Sequence, residues 1–155
     1  MNNGMIKAIL LLSVLLLLAG LSACSQPLTV EQRIIASIRE MEAKVEAGER
    51  RPFMEHIAED FTGQGGAMTR DQARALFIYQ LNRHQRLQAQ LFPIHVTESS
   101  ETTAMATFKA LVTGGPNWIP DSGQVFEFET HWRLVDDEWY LYEANWTPDI
   151  LGGEY

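Results

Sequence analysis

From Leu87 to Thr147 the apolar residues of this chain fall on alternate positions, whereas from Thr29 to His84 they recur every three or four. A period of two belongs to strands with one buried face, and a period near 3.6 to helices with one buried stripe. The switch leaves few folds open: helices come first, and a run of antiparallel strands then buries one face beneath them. The first helix opens at Thr29-Val30-Glu31-Gln32, a Thr followed three residues later by Gln, a pairing that satisfies the free amides of a helix start. Ile34, Ile38, Met41 and Val45 form its stripe, and Gly48 stands where a left-handed cap ends a helix. A short helix from Pro52 is expected to carry Phe53, Ile57 and Met54 inward. Asp60 to Gly66 reads as a short strand or turn. A third helix starts at a second capping box, Thr69-Arg70-Asp71-Gln72, with the stripe Ala73, Leu76, Phe77, Gln80, Leu81 and His84. Four strands are then predicted over Leu87–Val96, Thr102–Val112, Gly123–Val135 and Glu138–Thr147, the last two joined by a tight turn at Asp136-Asp137.

The segment before the helices has a different character. Lys7 is followed by an almost unbroken apolar run from Ala8 to Ala19, then by small residues and by Cys24, the one cysteine of the 155-residue chain. A positive start, a short apolar core and small residues before the cut describe a secretory signal, and the run is shorter than the roughly 20 residues a membrane span needs. Leu21-Ser22-Ala23-Cys24 resembles the lipobox of bacterial lipoproteins. The resemblance implies removal of residues 1–23, a diacylglyceryl group on the Cys24 sulfur and an N-acyl group on its new amine. Ser25 after the cysteine implies sorting to the outer membrane, on its periplasmic face. Several acyl chains anchor stably where one does not. Residues 24–28 are then a lipidated tether, and residues 29–150 one domain of ordinary size. With one cysteine the chain forms no internal disulfide.

The order of elements, together with Ala58-Glu59-Asp60-Phe61 and the closing Trp132-Arg133-Leu134-Val135-Asp136-Asp137-Glu138-Trp139-Tyr140-Leu141, resembles the nuclear transport factor 2-like superfamily, also called cystatin-like or SnoaL-like. That resemblance implies an α+β cone in which three helices pack on a curved antiparallel sheet, a pocket between them, and dimers formed through the sheet. It does not imply one activity, because the shared fold hosts isomerases, dehydratases, cyclases, transport factors and assembly modules alike.

Alternation places Phe126, Phe128, Thr130, Trp132 and Leu134 on the inner face of the third strand, with Glu129, His131 and Arg133 as an outward cluster. The pocket is expected to be lined by Phe77, Leu81, His84, Phe128 and Trp132. Chemistry inside it requires at least two of Asp60, Tyr79, His84 and Glu143 to meet. Asp60 alternatively serves as a helix-terminal acceptor, and His84 as a half-buried cap. The histidines show no metal-ligand spacing, Gly63-Gln64-Gly65-Gly66 lacks the Lys of a phosphate loop, and no cofactor is expected. The net charge of −8 argues against nucleic acid as a partner. Trp118 and Ile119, in a loop by composition, form a candidate contact pair. The leading expectation is a lipid-anchored periplasmic protein whose non-catalytic domain binds a small apolar ligand or a protein partner. The alternatives are an anchored isomerase, dehydratase or cyclase, and an envelope accessory module that forms homodimers. Lipidation makes a direct prediction: the mature chain begins at Cys24 with the mass of its acyl groups, and Cys24→Ala leaves an unprocessed, mislocalised product; a mature chain with a bare thiol contradicts it.

Overall fold

The computed structural model describes residues 27–84, 86–115 and 122–149. The leader, Cys24, Ser25 and the Trp118-Ile119 pair lie outside the described residues. Helix α1 (Val30–Ala47) starts at Thr29, whose hydroxyl accepts from the Gln32 amide at 3.2 Å while the Gln32 side chain accepts from the Thr29 amide at 3.1 Å. It stops at Gly48, whose φ of 68° is left-handed and costs glycine nothing. Helix α2 (Arg50–Glu55) is short and begins before Pro52. Strand β1 (Ile57–Gly63) and the two-residue β2 (Met68–Thr69) form a hairpin, and α3 (Arg70–Arg83) follows from the second capping box. The sheet continues with β3 (Arg86–Leu91), β4 (His95–Glu98), β5 (Thr103–Gly115), β6 (Ser122–Val135) and β7 (Glu138–Pro148).

Strand order is β2-β1-β7-β6-β5-β3, with β4 also paired to β5. All pairs are antiparallel except β1 with β7, which are parallel. The sheet is curved and unclosed, and the helices cover its concave face. Two expectations are corrected here. Ile57 opens a strand rather than continuing the short helix, because the backbone after Glu55 joins β7, the Leu141 amide donating to the His56 carbonyl at 2.9 Å. The strand predicted over Leu87–Val96 is two strands, broken at Phe92-Pro93-Ile94, since proline cannot donate to the ladder.

The β6–β7 turn is tight. Asp136 and Asp137 have φ of 49° and 66°, the left-handed pair a two-residue hairpin loop requires and Asp tolerates better than most residues. Arg33 of α1 ties that turn down, its guanidinium reaching the Asp137 carboxylate at 3.3 Å and the Asp137 carbonyl.

Strand β7 carries a bulge at Tyr142, since His131 pairs with Glu143 and Trp132 with Leu141. One extra residue reverses the phase of alternation beyond it. Trp139 and Leu141 before the bulge and Ala144 after it are therefore all buried, and Trp146 follows Ala144 onto the inner face.

The core fills only part of the concave face. Ile34, Ile38 and Met41 of α1 lie over Ala104 and Ala106 of β5, Trp132 of β6, and Trp139 and Leu141 of β7. Each buried apolar side chain contributes about 1.5–3 kcal/mol. The alanines on β5 leave room for Trp132, which is 1 % exposed. Its indole N–H donates to Thr130 Oγ1 at 3.0 Å, and that hydroxyl donates to the Ala106 carbonyl at 2.9 Å. Thr130→Val leaves the buried indole N–H without its acceptor. Denaturant unfolding is expected to show a loss of about 1–3 kcal/mol; a neutral outcome would mean the indole finds another acceptor.

Candidate functional site

Helix α3 is the least embedded of the three: it has no buried residue, whereas α1 buries three and α2 one. It is held at its margins. Arg70 donates through Nε to the Ile57 carbonyl at 3.2 Å and through Nη2 to the Met54 carbonyl at 3.0 Å. Phe77 meets Phe53 of α2 with ring centroids 4.4 Å apart, and Asn82 accepts from Arg50 at 3.2 Å. At its far end His84 is the C-terminal cap residue, its amide donating to the Gln80 carbonyl.

Between these supports α3 roofs a cavity of about 550 Å³ over the inner face of the sheet. That volume lies within the range of small-molecule sites, about 300–1,000 Å³. Ala73, Leu76, Phe77, Gln80 and His84 face it from α3, and Phe126, Phe128, Ala144 and Trp146 from β6 and β7. Its floor is aromatic and ordered: Phe128 stacks on Phe108 at 5.2 Å and on Trp146 at 6.1 Å. The polar side chains Gln80, His84, Thr113 and Gln124 gather at one end, where α3 finishes and where β5 ends and β6 begins. The His84 ring packs against Gly114. A Cβ on that glycine would lie 2.5 Å from His84 Nδ1 and 2.6 Å from its Cγ, so only glycine admits the ring.

Of the residues expected to line the pocket, Phe77, His84 and Phe128 do so. Leu81 is half-buried and does not. Trp132 is corrected: it is part of the solid core beside the cavity, because the small residues of β5 let α1 close over it.

The four candidate catalytic residues do not converge. His84 alone faces the cavity. Asp60 lies on β1 and points to the outer face, where Arg133 grips both carboxylate oxygens, Nη1 to Oδ2 at 2.8 Å and Nη2 to Oδ1. That guanidinium holds the Asp60 carboxyl below its ordinary range, the reverse of what a carboxylic acid poised for proton transfer needs. Tyr79 is 55 % exposed, with its hydroxyl accepting from Arg83 at 3.3 Å. Glu143 lies on the outer face opposite His131 and accepts from Asn145 at 3.3 Å. The bulge explains Glu143: unbroken alternation from Trp139 would have turned it inward.

The outer face is a lattice of paired charges. His131 bonds Glu129 at 3.2 Å. Arg133 also lies 5.5 Å over the Tyr142 ring, and Lys109 pairs with Glu127 at 2.8 Å and Asp149 at 2.9 Å, which raises its pKa. The expected Glu129–His131–Arg133 cluster is thus divided, Arg133 belonging to Asp60. No group of three or more His, Cys, Asp or Glu side chains able to hold a metal occurs among the described residues. Arg70, which props α3 on the Ile57 and Met54 carbonyls, and Gly114, which lines the cavity, act across the fold, where no local sequence pattern marks them.

The sequence matches no protein-family model and no curated protein. Solved structures resemble it closely in shape. A proposed scytalone dehydratase from Novosphingobium aromaticivorans superposes with a TM-score of 0.68 at 13 % identity, covering 81 % of this chain and 95 % of that one. A proposed dehydratase of the nuclear transport factor 2-like family from Streptomyces avermitilis gives 0.66 at 14 %, covering 77 % and 97 %. A further protein from N. aromaticivorans, described as nuclear transport factor 2-like with a cystatin-like fold, gives 0.64 at 20 %, covering 79 % and 83 %. At such identities the likeness establishes architecture alone. The described residues adopt the nuclear transport factor 2-like, cystatin-like fold.

Proposed function

We propose that this protein is a lipid-anchored envelope protein, held through Cys24 on the periplasmic face of the outer membrane, whose domain binds a small apolar molecule in the cavity beneath α3. The anchor rests on the lipobox pattern Leu21-Ser22-Ala23-Cys24. The observation that carries the binding role is the cavity itself, about 550 Å³ in volume and walled by Phe53, Phe61, Phe77, Phe126, Phe128 and Trp146. An apolar wall with a few polar groups at one end suits a molecule that is buried by the hydrophobic effect and oriented by hydrogen bonds.

Retention rather than conversion is favoured by the separation of Asp60, Tyr79 and Glu143 from His84, since a base needs its partner within hydrogen-bond reach. The dehydratase reading draws on the proposed activities of two structural neighbours and on His84 in the cavity. It lacks a second titratable group among the lining residues. Pairing of two copies through the sheet draws less support, because the outer face is polar and many of its charges have partners within the chain.

The binding role predicts that the neutral fluorophore N-phenyl-1-naphthylamine brightens on mixing with the protein. Ala73→Trp, which fills the space under α3, is expected to abolish the signal while leaving circular dichroism intact. Equal brightening of both proteins would place the probe elsewhere and refute a ligand site under α3.

A further inference from the structure

The cavity has a property beyond being apolar. Among the described residues that line it there is no Asp, Glu, Lys or Arg side chain, and its one titratable group is His84. We infer that its occupant is a compact aromatic molecule bearing a single acidic or anionic group, and that His84 receives that group while the ring system lies on the Phe128–Trp146 floor. The inference rests on the ligand-binding role proposed above and adds the sign of the ligand's charge and its orientation.

Three observations carry it. A cation entering the cavity would lose its water and meet no carboxylate, an uncompensated desolvation. The aromatic side chains instead form a continuous surface suited to a ring system. Phe108, Phe128 and Trp146 stack in series, and Phe53 is laid against Phe77. The second observation is polarity by position: Gln80, His84, Thr113 and Gln124 occupy one end, and the walls away from them are apolar. A molecule with one polar terminus has one way to satisfy that arrangement. The third is the seat of His84. Gly114 leaves the ring a place that any side chain would take away, so the imidazole lies at the cavity wall. The lining side chains from neighbouring elements, Val45 of α1, Leu87 of β3 and Gln124 of β6, carry no charge of either sign. The charged residues next to His84 along the chain are Arg83 and Arg86, both cationic and exposed.

The test is a matched series of one ring system with three termini: 2-naphthylacetic acid, 2-(2-naphthyl)ethanol and 2-(2-naphthyl)ethylamine. Each is titrated calorimetrically into the full chain purified in detergent, with N-phenyl-1-naphthylamine displacement reporting occupancy of the cavity. The acid is expected to bind about tenfold tighter than the alcohol, as a charge-assisted hydrogen bond allows, and the amine weaker than both. His84→Gln is expected to bring the acid down to the affinity of the alcohol, and Gly114→Ala, which dislodges the ring, to do the same. An amine that binds as well as the acid, or an acid preference that survives His84→Gln, overturns the charge inference while leaving a ligand cavity in place. Failure of all three probes to displace the fluorophore overturns the inference, and failure of the fluorophore itself to bind removes the cavity role beneath it.

Discussion

The buried chain of hydrogen bonds from Trp132 through Thr130 to the Ala106 carbonyl fixes where this domain is solid. A tryptophan of that size at 1 % exposure occupies the space between α1 and the sheet completely, and its single polar atom is satisfied within the layer it fills. With that half of the concave face plugged, α1 has a firm seat at Ile34, Ile38 and Met41. The other half has no such plug. Phe126 and Phe128 of β6 face upward there, and the helix above them is propped on Arg70, Phe77 and His84 at its edges. The cavity is therefore a consequence of packing asymmetry: one sheet, a helix α1 that buries an apolar stripe against it, and a helix α3 that buries none.

The bulge at Tyr142 decides which chemistry reaches that space. By advancing β7 one residue, it sends Ala144 and Trp146 inward and Glu143 outward. An apolar floor and a charged exterior are two sides of the same backbone irregularity. Tyr142 itself lands on the outer face beneath Arg133, whose guanidinium is drawn toward Asp60 on β1. Among the described residues no carboxylate lines the cavity, whose polar side chains are neutral hydrogen-bonding groups and one imidazole.

Much of the architecture is readable from the residues because its causes are local. Thr29 with Gln32 and Thr69 with Gln72 close their bonds within four residues, and both boxes form. The alternation along β6 is unbroken from Val125 to Leu134, so its inner and outer faces follow from the pleat alone. What escapes such reading depends on partners far along the chain. Ile57 enters a strand because β7, more than eighty residues later in sequence, accepts it in parallel. Trp132 belongs to the core because Ala104 and Ala106 are small. Glu143 faces outward because the strand slips by one position, a change of phase visible in Trp139-Tyr140-Leu141-Tyr142-Glu143-Ala144-Asn145-Trp146 only once Ala144 is known to be buried. The site suffers more than the fold, since a pocket is assembled from residues of every element and its polarity can be reversed by one bulge.

The account turns on real, unfilled apolar space beneath α3. Xenon enters dry apolar cavities and scatters X-rays strongly, so a crystal of the protein pressurised with xenon measures that space directly. The account predicts a xenon atom between Phe77 and Phe128, in the space that α3 roofs here. Finding no xenon there, with the Phe77 ring in contact with Phe128 and the helix settled onto β6, would contradict it.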